Sequence, residues 1–180
     1  LSSTSTWLQA QTKPVRVGST LSLTGPLAGT AVMHKITGEI FVEQLNKRGG
    51  LMGRPVEWIV KDDQSKPDLA RTLYEQLISG DNVDLLMGPY ATANSLAAMG
   101  VAQRNGKVLI TNSFGIPSLA KYDMHFPAYV MGIDPGTTVP NTLLDAIGAA
   151  GGKPQSIAMV TSKFPSVVFL SVGAREVFKK

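Results

Sequence analysis

The chain has 180 residues, 43% of them hydrophobic, with a formal net charge of +4 and no cysteine. That length allows one domain, or one domain and part of another, and the missing cysteines exclude disulfides, thiol catalysis and Cys-ligated metal. The Lys and Arg residues are scattered, with no basic tract interleaved with aromatics, so no nucleic-acid partner is expected. No apolar run is long enough to insert directly into a membrane.

Residues 1–14 are polar and irregular. Within them Trp7-Leu8-Gln9-Ala10-Gln11 resembles the end of a secretory leader, where small residues precede a cleavage point. This segment is expected to be a disordered leader remnant or tag, outside the fold. From Val15 the pattern becomes regular. Residues 15–23 read as a strand with β-branched and alternating apolar positions, closed by Thr24-Gly25-Pro26. Residues 29–46 carry Met33, Ile36, Ile40 and Phe41 at helical spacing, with Glu39, Glu43 and Lys47 on the other side, and Gly49-Gly50 ends the helix. A second strand covers 56–60 and leads into Lys61-Asp62-Asp63-Gln64. Ser65 then reads as an N-cap, with Pro67 in the first turn and Asp68 near the capping-box position. Leu69, Leu73 and Leu77 mark the helix that follows, and Ser79-Gly80 closes it.

The third unit organises the rest. Leu85 to Met87 form a short buried strand, Gly88-Pro89 stops it, and Tyr90-Ala91-Thr92-Ala93-Asn94-Ser95 feeds an Ala-rich helix over 96–103. A helix beginning at a strand tip aims unpaired backbone N–H groups and the positive end of its dipole outward, which suits a carboxylate. The hydroxyls of Thr92 and Ser95 can donate, and Tyr90 offers an aromatic wall. The plainer alternative has Thr92 merely capping the helix and Tyr90 at the surface. After the Asn105-Gly106 turn, residues 107–110 form a fourth strand, ending in Thr111-Asn112-Ser113-Phe114-Gly115.

Strand and helix therefore alternate with short connections, which argues a doubly wound parallel sheet, an α/β lobe whose ligands bind outside the carboxyl ends of the strands. Residues 126–130 read as one more strand, 131–136 as a linker, 139–149 as a helix, 156–161 as a strand and 167–180 as a helix. One strand and two helices cannot bury Val167, Val168, Phe169, Leu170 and Phe178. The expected organisation is an N-terminal ligand-binding lobe over 15–130, then a hinge and the incomplete start of a second α/β lobe over 131–180, as in a truncated chain.

The runs Ser22-Leu23-Thr24-Gly25-Pro26-Leu27-Ala28, Leu45-Asn46-Lys47-Arg48-Gly49-Gly50-Leu51-Met52-Gly53, Lys61-Asp62-Asp63 and Leu86-Met87-Gly88-Pro89, followed by Leu109-Ile110-Thr111, the Pro117 turn and Ser156-Ile157-Ala158-Met159-Val160, carry a resemblance over residues 15 to about 160. Together they resemble the type I periplasmic binding proteins, the Leu/Ile/Val-binding-like solute receptors of branched-chain amino acid ABC importers. The resemblance implies two α/β lobes joined by a hinge with a ligand clamped between them. It also implies a periplasmic location after leader removal and transient docking on ABC permease subunits. It puts the ligand-carboxylate anchor on Ala91 and Thr92, and a second anchor on Ser113, with Phe114 and Gly115 beside it. The family uses a threonine where Gly115 stands, and that threonine helps hold a ligand ammonium, so an ordinary α-amino acid is put in question. The aromatic residue contributed by the second lobe falls near Phe164 or Ser166, where Phe164-Pro165 replaces the family's Tyr-Gly pair.

Tyr90 and Phe114, if they face inward, favour an apolar or aromatic acid. His34 either touches ligand or hydrogen-bonds locally, and His125, read as a loop residue, is assigned no role. Asp62-Asp63 suits capping and turn formation better than a cation, since no third hard ligand stands at suitable spacing. The first strand-to-helix turn lacks the Gly-x-Gly-x-x-Gly fingerprint. Neither a Gly-x-Ser-x-Gly elbow nor a phosphate-binding Lys is present, so no enzyme activity, cofactor or metal is expected. The functional expectation is a receptor for a small carboxylate. A ligand-sensing domain on the same fold is the alternative, and an α/β enzyme a more distant one.

Overall fold

A computed structural model describes residues 13–112, 114–128 and 132–179. Five strands, β1 (Val15–Leu21), β2 (Val56–Asp62), β3 (Leu85–Met87), β4 (Leu109–Thr111) and β5 (His125–Pro127), form one sheet in the order β2-β1-β3-β4-β5, every neighbouring pair parallel. The intervening helices are α1 (Ala28–Lys47), α2 (Pro67–Ser79) and α3 (Thr92–Arg104), with a 3-10 turn at Pro117–Leu119. The strand order reverses at β1 and β3, so their tips bound the crevice in which such sheets hold ligands.

Register assigns the faces. Gly18, Leu86, Leu109 and His125 stand in one row across β1, β3, β4 and β5; Ser19, Met87, Ile110 and Phe126 stand in the next. Side chains alternate along a strand, so the two rows point to opposite faces. Against the first face pack Tyr74 and Leu77 of α2 and Ala98, Val101 and Ala102 of α3, and with Val83, Leu86 and Leu109 they form the core. Tyr74 is fully buried, and its hydroxyl donates to Met87 O at 2.7 Å, as does Ser19 Oγ. The opposite face is barer. α1 lies over β1 and β2, and the residues that mark its helical pattern, Met33, Ile36, Ile40 and Phe41, are exposed.

α4 (Pro135–Ala149) and α5 (Pro165–Phe178) pack on one another where Gly136 and Gly173 meet; a Cβ on Gly173 would lie 2.5 Å from Gly136 O, so only glycine permits that crossing. No residue of α5 is buried.

Several expectations need correction. The strand expected at 156–161 is absent: a strand exists through hydrogen bonds to a neighbour, none of the described segments pairs with it, and Val160 is fully exposed. Ser65 is not the cap of α2. That position belongs to Lys66, no side chain caps the helix, and Ser65 has φ 61°. β1 ends at Leu21 rather than Leu23, because the chain turns there for Leu23 N to donate to Leu21 O. His125, read as a loop residue, is the first residue of β5, and Pro135 and Gly136, read as linker, open α4. The expected leader remnant, up to residue 12, and residues 129–131 of the expected strand and linker lie outside the described residues.

Candidate functional site

The crevice is built from three loops at the strand tips. The first, residues 22–27 after β1, is fixed from below by β2 and its following turn. Asp62 accepts from Thr24 Oγ1 at 2.7 Å and from Thr24 N at 3.2 Å. Burial works against the Asp62 charge, but hydrogen bonds from Thr24 and Gln64 outweigh it and hold the carboxyl below its ordinary range. Asp63, fully buried, accepts from Thr20 Oγ1 at 2.8 Å, Ser22 Oγ at 2.7 Å and Ser65 N at 3.0 Å. Ser65 Oγ donates to Thr24 O at 2.9 Å and accepts from Leu27 N at 3.2 Å. The Asp pair is thus occupied in joining two loops. Among the described residues no group of three or more acidic or histidine side chains is placed to hold a metal.

The second loop, after β3, delivers Ala91 as the residue preceding α3. Ala91 has φ 77° and ψ 142°, a region that L side chains rarely adopt. No side chain caps α3. Thr92 is therefore the first helical residue rather than a cap; it is buried, and its Oγ1 accepts from Gly115 N at 3.3 Å. That bond ties the second loop to the third and leaves the hydroxyl hydrogen to donate elsewhere. Ser95, the other expected donor, is fully buried and donates to Ala91 O at 3.0 Å within its own helix.

The third loop, after β4, brings Phe114 and Gly115. Ser113, expected as an anchor, lies outside the described residues. Phe114 is buried, and the imidazole of His125 meets it edge-on at 5.1 Å and 78°. His125 Nε2 lies 2.9 Å from Thr111 Oγ1, and burial lowers the histidine pKa. A residue given no role by its sequence position therefore backs the Phe114 ring. A Cβ on Gly115 would sit 2.7 Å from Ser166 Cβ and 3.1 Å from Thr92 Oγ1, so this glycine admits the first turn of α5 against the loop.

These elements enclose a cleft of about 480 Å³. Six of the seven residues expected to touch ligand, Tyr90, Ala91, Thr92, Phe114, Gly115 and Phe164, line it together. Tyr90 is half-buried, and its ring lies 5.0 Å from that of His34 with the planes tilted by 35°. His34 Nδ1 accepts from Asn112 Nδ2 at 2.7 Å, which is the local bonding weighed against ligand contact, and burial lowers its pKa. Sequence reasoning missed Leu27, Ser65, Pro67, Ala93, Asn94, Pro165 and Val167 in the lining. Leu27, Pro67 and Pro165 mark helix starts, a signal the sequence carries; Asn94 inside an Ala-rich run gave none. Among the described residues, none that lines the cleft is charged.

The fold, a parallel sheet reversing at β1 and β3, is shared with known proteins. The family described as "Periplasmic binding protein" matches residues 14–180. The chain belongs to that family. A chemotactic signal transduction system substrate-binding protein, BasB of Halobacterium salinarum, is 31% identical over 110 residues, covering 60% of this chain and 27% of that one. Among solved structures, the branched-chain amino acid transporter substrate-binding protein LivJ of Streptococcus pneumoniae, in complex with isoleucine, superposes with a TM-score of 0.76 at 21% identity. The match covers 92% of this chain and 47% of that one. A solute-binding protein of an ABC transporter from Rhodopseudomonas palustris, in complex with 3,4-dihydroxybenzoic acid, gives 0.74 at 22% identity, over 92% and 44% of the two chains. Both structural likenesses are of fold. All three relatives are named as binding proteins and none as an enzyme. The chain spans less than half the length of these relatives. No helix among the described residues is long and apolar enough to cross a membrane.

Proposed function

We propose that this member of the periplasmic binding protein family is part of an extracytoplasmic receptor. It captures a small carboxylate, amino-acid-like with a branched or aromatic body, in a cleft between two lobes and hands it to the membrane subunits of an ABC permease. Residues 15–130 form the first lobe, and 131–180 the hinge and the beginning of the second. The observation that carries the reading is the uncapped start of α3, whose residues Thr92, Ala93 and Asn94 line the same cleft as Phe164 and Ser166. An anion there replaces its lost water with preset donors, and no bond is broken. Tyr90, Phe114 and Phe164 supply apolar walls for the body of the acid. The two solved relatives, one holding isoleucine and the other a dihydroxybenzoate, support the same pairing of a carboxylate with an apolar body.

Thr92 and Ser113 are the hydroxyl anchors. A charge-assisted hydrogen bond contributes about 1.5–3 kcal/mol, so Thr92→Ala should weaken binding roughly tenfold to a hundredfold by calorimetry against a panel of branched and aromatic acids. Unchanged affinity removes Thr92 from the site. The relative named for chemotactic signalling favours a second reading, a sensor on the same fold. Deletion of the gene separates the two: loss of uptake of the bound acid supports transport, and loss of taxis with uptake intact supports sensing.

A further inference from the structure

His34 stands on α1, does not line the cleft, and reaches it through two neighbours. Its ring lies 5.0 Å from that of Tyr90, which lines the cleft and immediately precedes Ala91. Its Nδ1 lies 2.7 Å from Nδ2 of Asn112, the residue after β4 and two before Phe114. The second and third site loops are joined directly by the bond from Gly115 N to Thr92 Oγ1. His34 bridges the same two loops from a different element. An amide nitrogen only donates, so Nδ1 meets it with a lone pair and the ring is neutral in this contact. A proton added at Nδ1 would set donor against donor, and rotation of either group breaks the present bridge.

The surroundings offer such a proton no partner charge. The cavity of about 560 Å³ that His34 lines includes Ser19 from β1, Trp58 from β2, Met87 from β3 and Ile110 from β4, and no charged side chain among the described residues. Of the charged groups on the elements packed against α1, Arg16 pairs with Glu57 at 2.9 Å and Lys61 with Asp81 at 2.7 Å, while Asp62 is taken by Thr24. On α1 itself Lys35 pairs with Glu39 at 2.6 Å. The titratable group in contact with the imidazole is Tyr90.

We infer that His34 is a positioning residue for the ligand cleft: when neutral it links Tyr90 to Asn112 and holds together the two loops that carry Thr92 and Phe114, and when protonated it releases them and weakens ligand binding. This rests on the receptor reading above and adds a regulation of the same site. Affinity is then complete above the ordinary histidine value of about 6.5 and falls as pH drops through the lower value that burial gives His34.

The test is calorimetry on the intact protein, with any residues that lie outside 1–180 kept. Its probes are isoleucine and 3,4-dihydroxybenzoate, the molecules held by the two solved relatives. Between pH 7.5 and 5 the affinity for whichever probe binds should fall about fivefold or more. His34→Gln keeps an acceptor for Asn112 but has no proton to gain, so its affinity should change by less than about twofold over the same range. A flat profile in the unmodified protein overturns the inference and leaves the receptor reading standing. So does a fall that persists in His34→Gln, which would belong to another group such as His125 against Phe114. Failure of both probes at pH 7.5 tells against the receptor reading alone, and NMR of the ligand-free protein then decides the inference. There the Tyr90 ring signals should move with the titration of His34, at one midpoint below about 6.5. Tyr90 signals that remain fixed while His34 titrates overturn it. The same measurement decides if His34→Gln does not fold.

Discussion

The two faces of the sheet follow the same alternation and end in different states. On one, Leu86, Leu109 and His125 are buried beneath α2 and α3. On the other, their strand neighbours Met87, Ile110 and Phe126 remain 45%, 39% and 54% exposed, because α1 covers β1 and β2 and does not extend over β3 to β5. Alternation therefore reports which residues share a face, while coverage depends on how far the flanking helices reach. The site depends on the covered face. The Tyr74 hydroxyl reaches Met87 O from the packed side, where His125 also backs Phe114, while Ser19 donates to the same Met87 O from the row of the open face.

The strongest way to break this comparison is to make the same truncation on each face. Leu77→Ala removes a fully buried side chain from the core and should cost about 2–5 kcal/mol in denaturant unfolding. Ile110→Ala on the open face should cost less than about 1 kcal/mol. Similar losses for the two would mean that the open face is packed in solution, and the contrast between faces would fall.

A smaller effect separates the faces by pH. His125 belongs to the covered row and His34 to the α1 side, and burial lowers the pKa of both. A histidine whose folded pKa lies below its ordinary value of about 6.5 binds fewer protons folded than unfolded. Its contribution is complete above about pH 6.5 and is lost as pH falls through the lower folded value. His125→Gln should flatten that acid decline. The charge on His125 would be enclosed, since its Nδ1 is buried without a partner. His34→Gln should flatten it less, because His34 is only partly buried. Chemical denaturation between pH 7.5 and 5 measures both slopes; a larger change for His34 would reverse the ranking.

The order of strands and helices was legible because each element carries its own period and stop signal. The gathering of Tyr90, Thr92, Phe114 and Gly115 followed from parallel strands ending on one edge. What was illegible depended on partners distant in sequence. Ser65 sits in a run that reads as a capping box, yet its hydroxyl goes to Thr24 and Leu27 across the crevice. Residues 156–161 carry a short apolar run like a buried strand, but an apolar run supplies no neighbour. His125 looks like any loop histidine until β5 pairs with β4. Asn94 is hidden because helical propensity says nothing about which side of an Ala-rich helix meets a cleft.

The smallest predicted effect lies at the tip of β3, where the packed face gives way to the crevice. Ala91 has a backbone conformation that costs of order 1–3 kcal/mol in a residue with a Cβ, and glycine adopts it without that cost. Glycine is also freer in the unfolded chain, which offsets part of the gain. Ala91→Gly should therefore raise stability by about 1 kcal/mol in denaturant unfolding while weakening ligand binding a few-fold, because a looser turn holds the first N–H groups of α3 less firmly in position. A gain in stability with unchanged affinity would mean that packing beneath the tip alone orients α3. A loss of stability would mean that the Ala91 methyl group contributes more by its contacts than its backbone costs. Only the first-stated pair of changes makes the strained turn the joint between the covered face and the site.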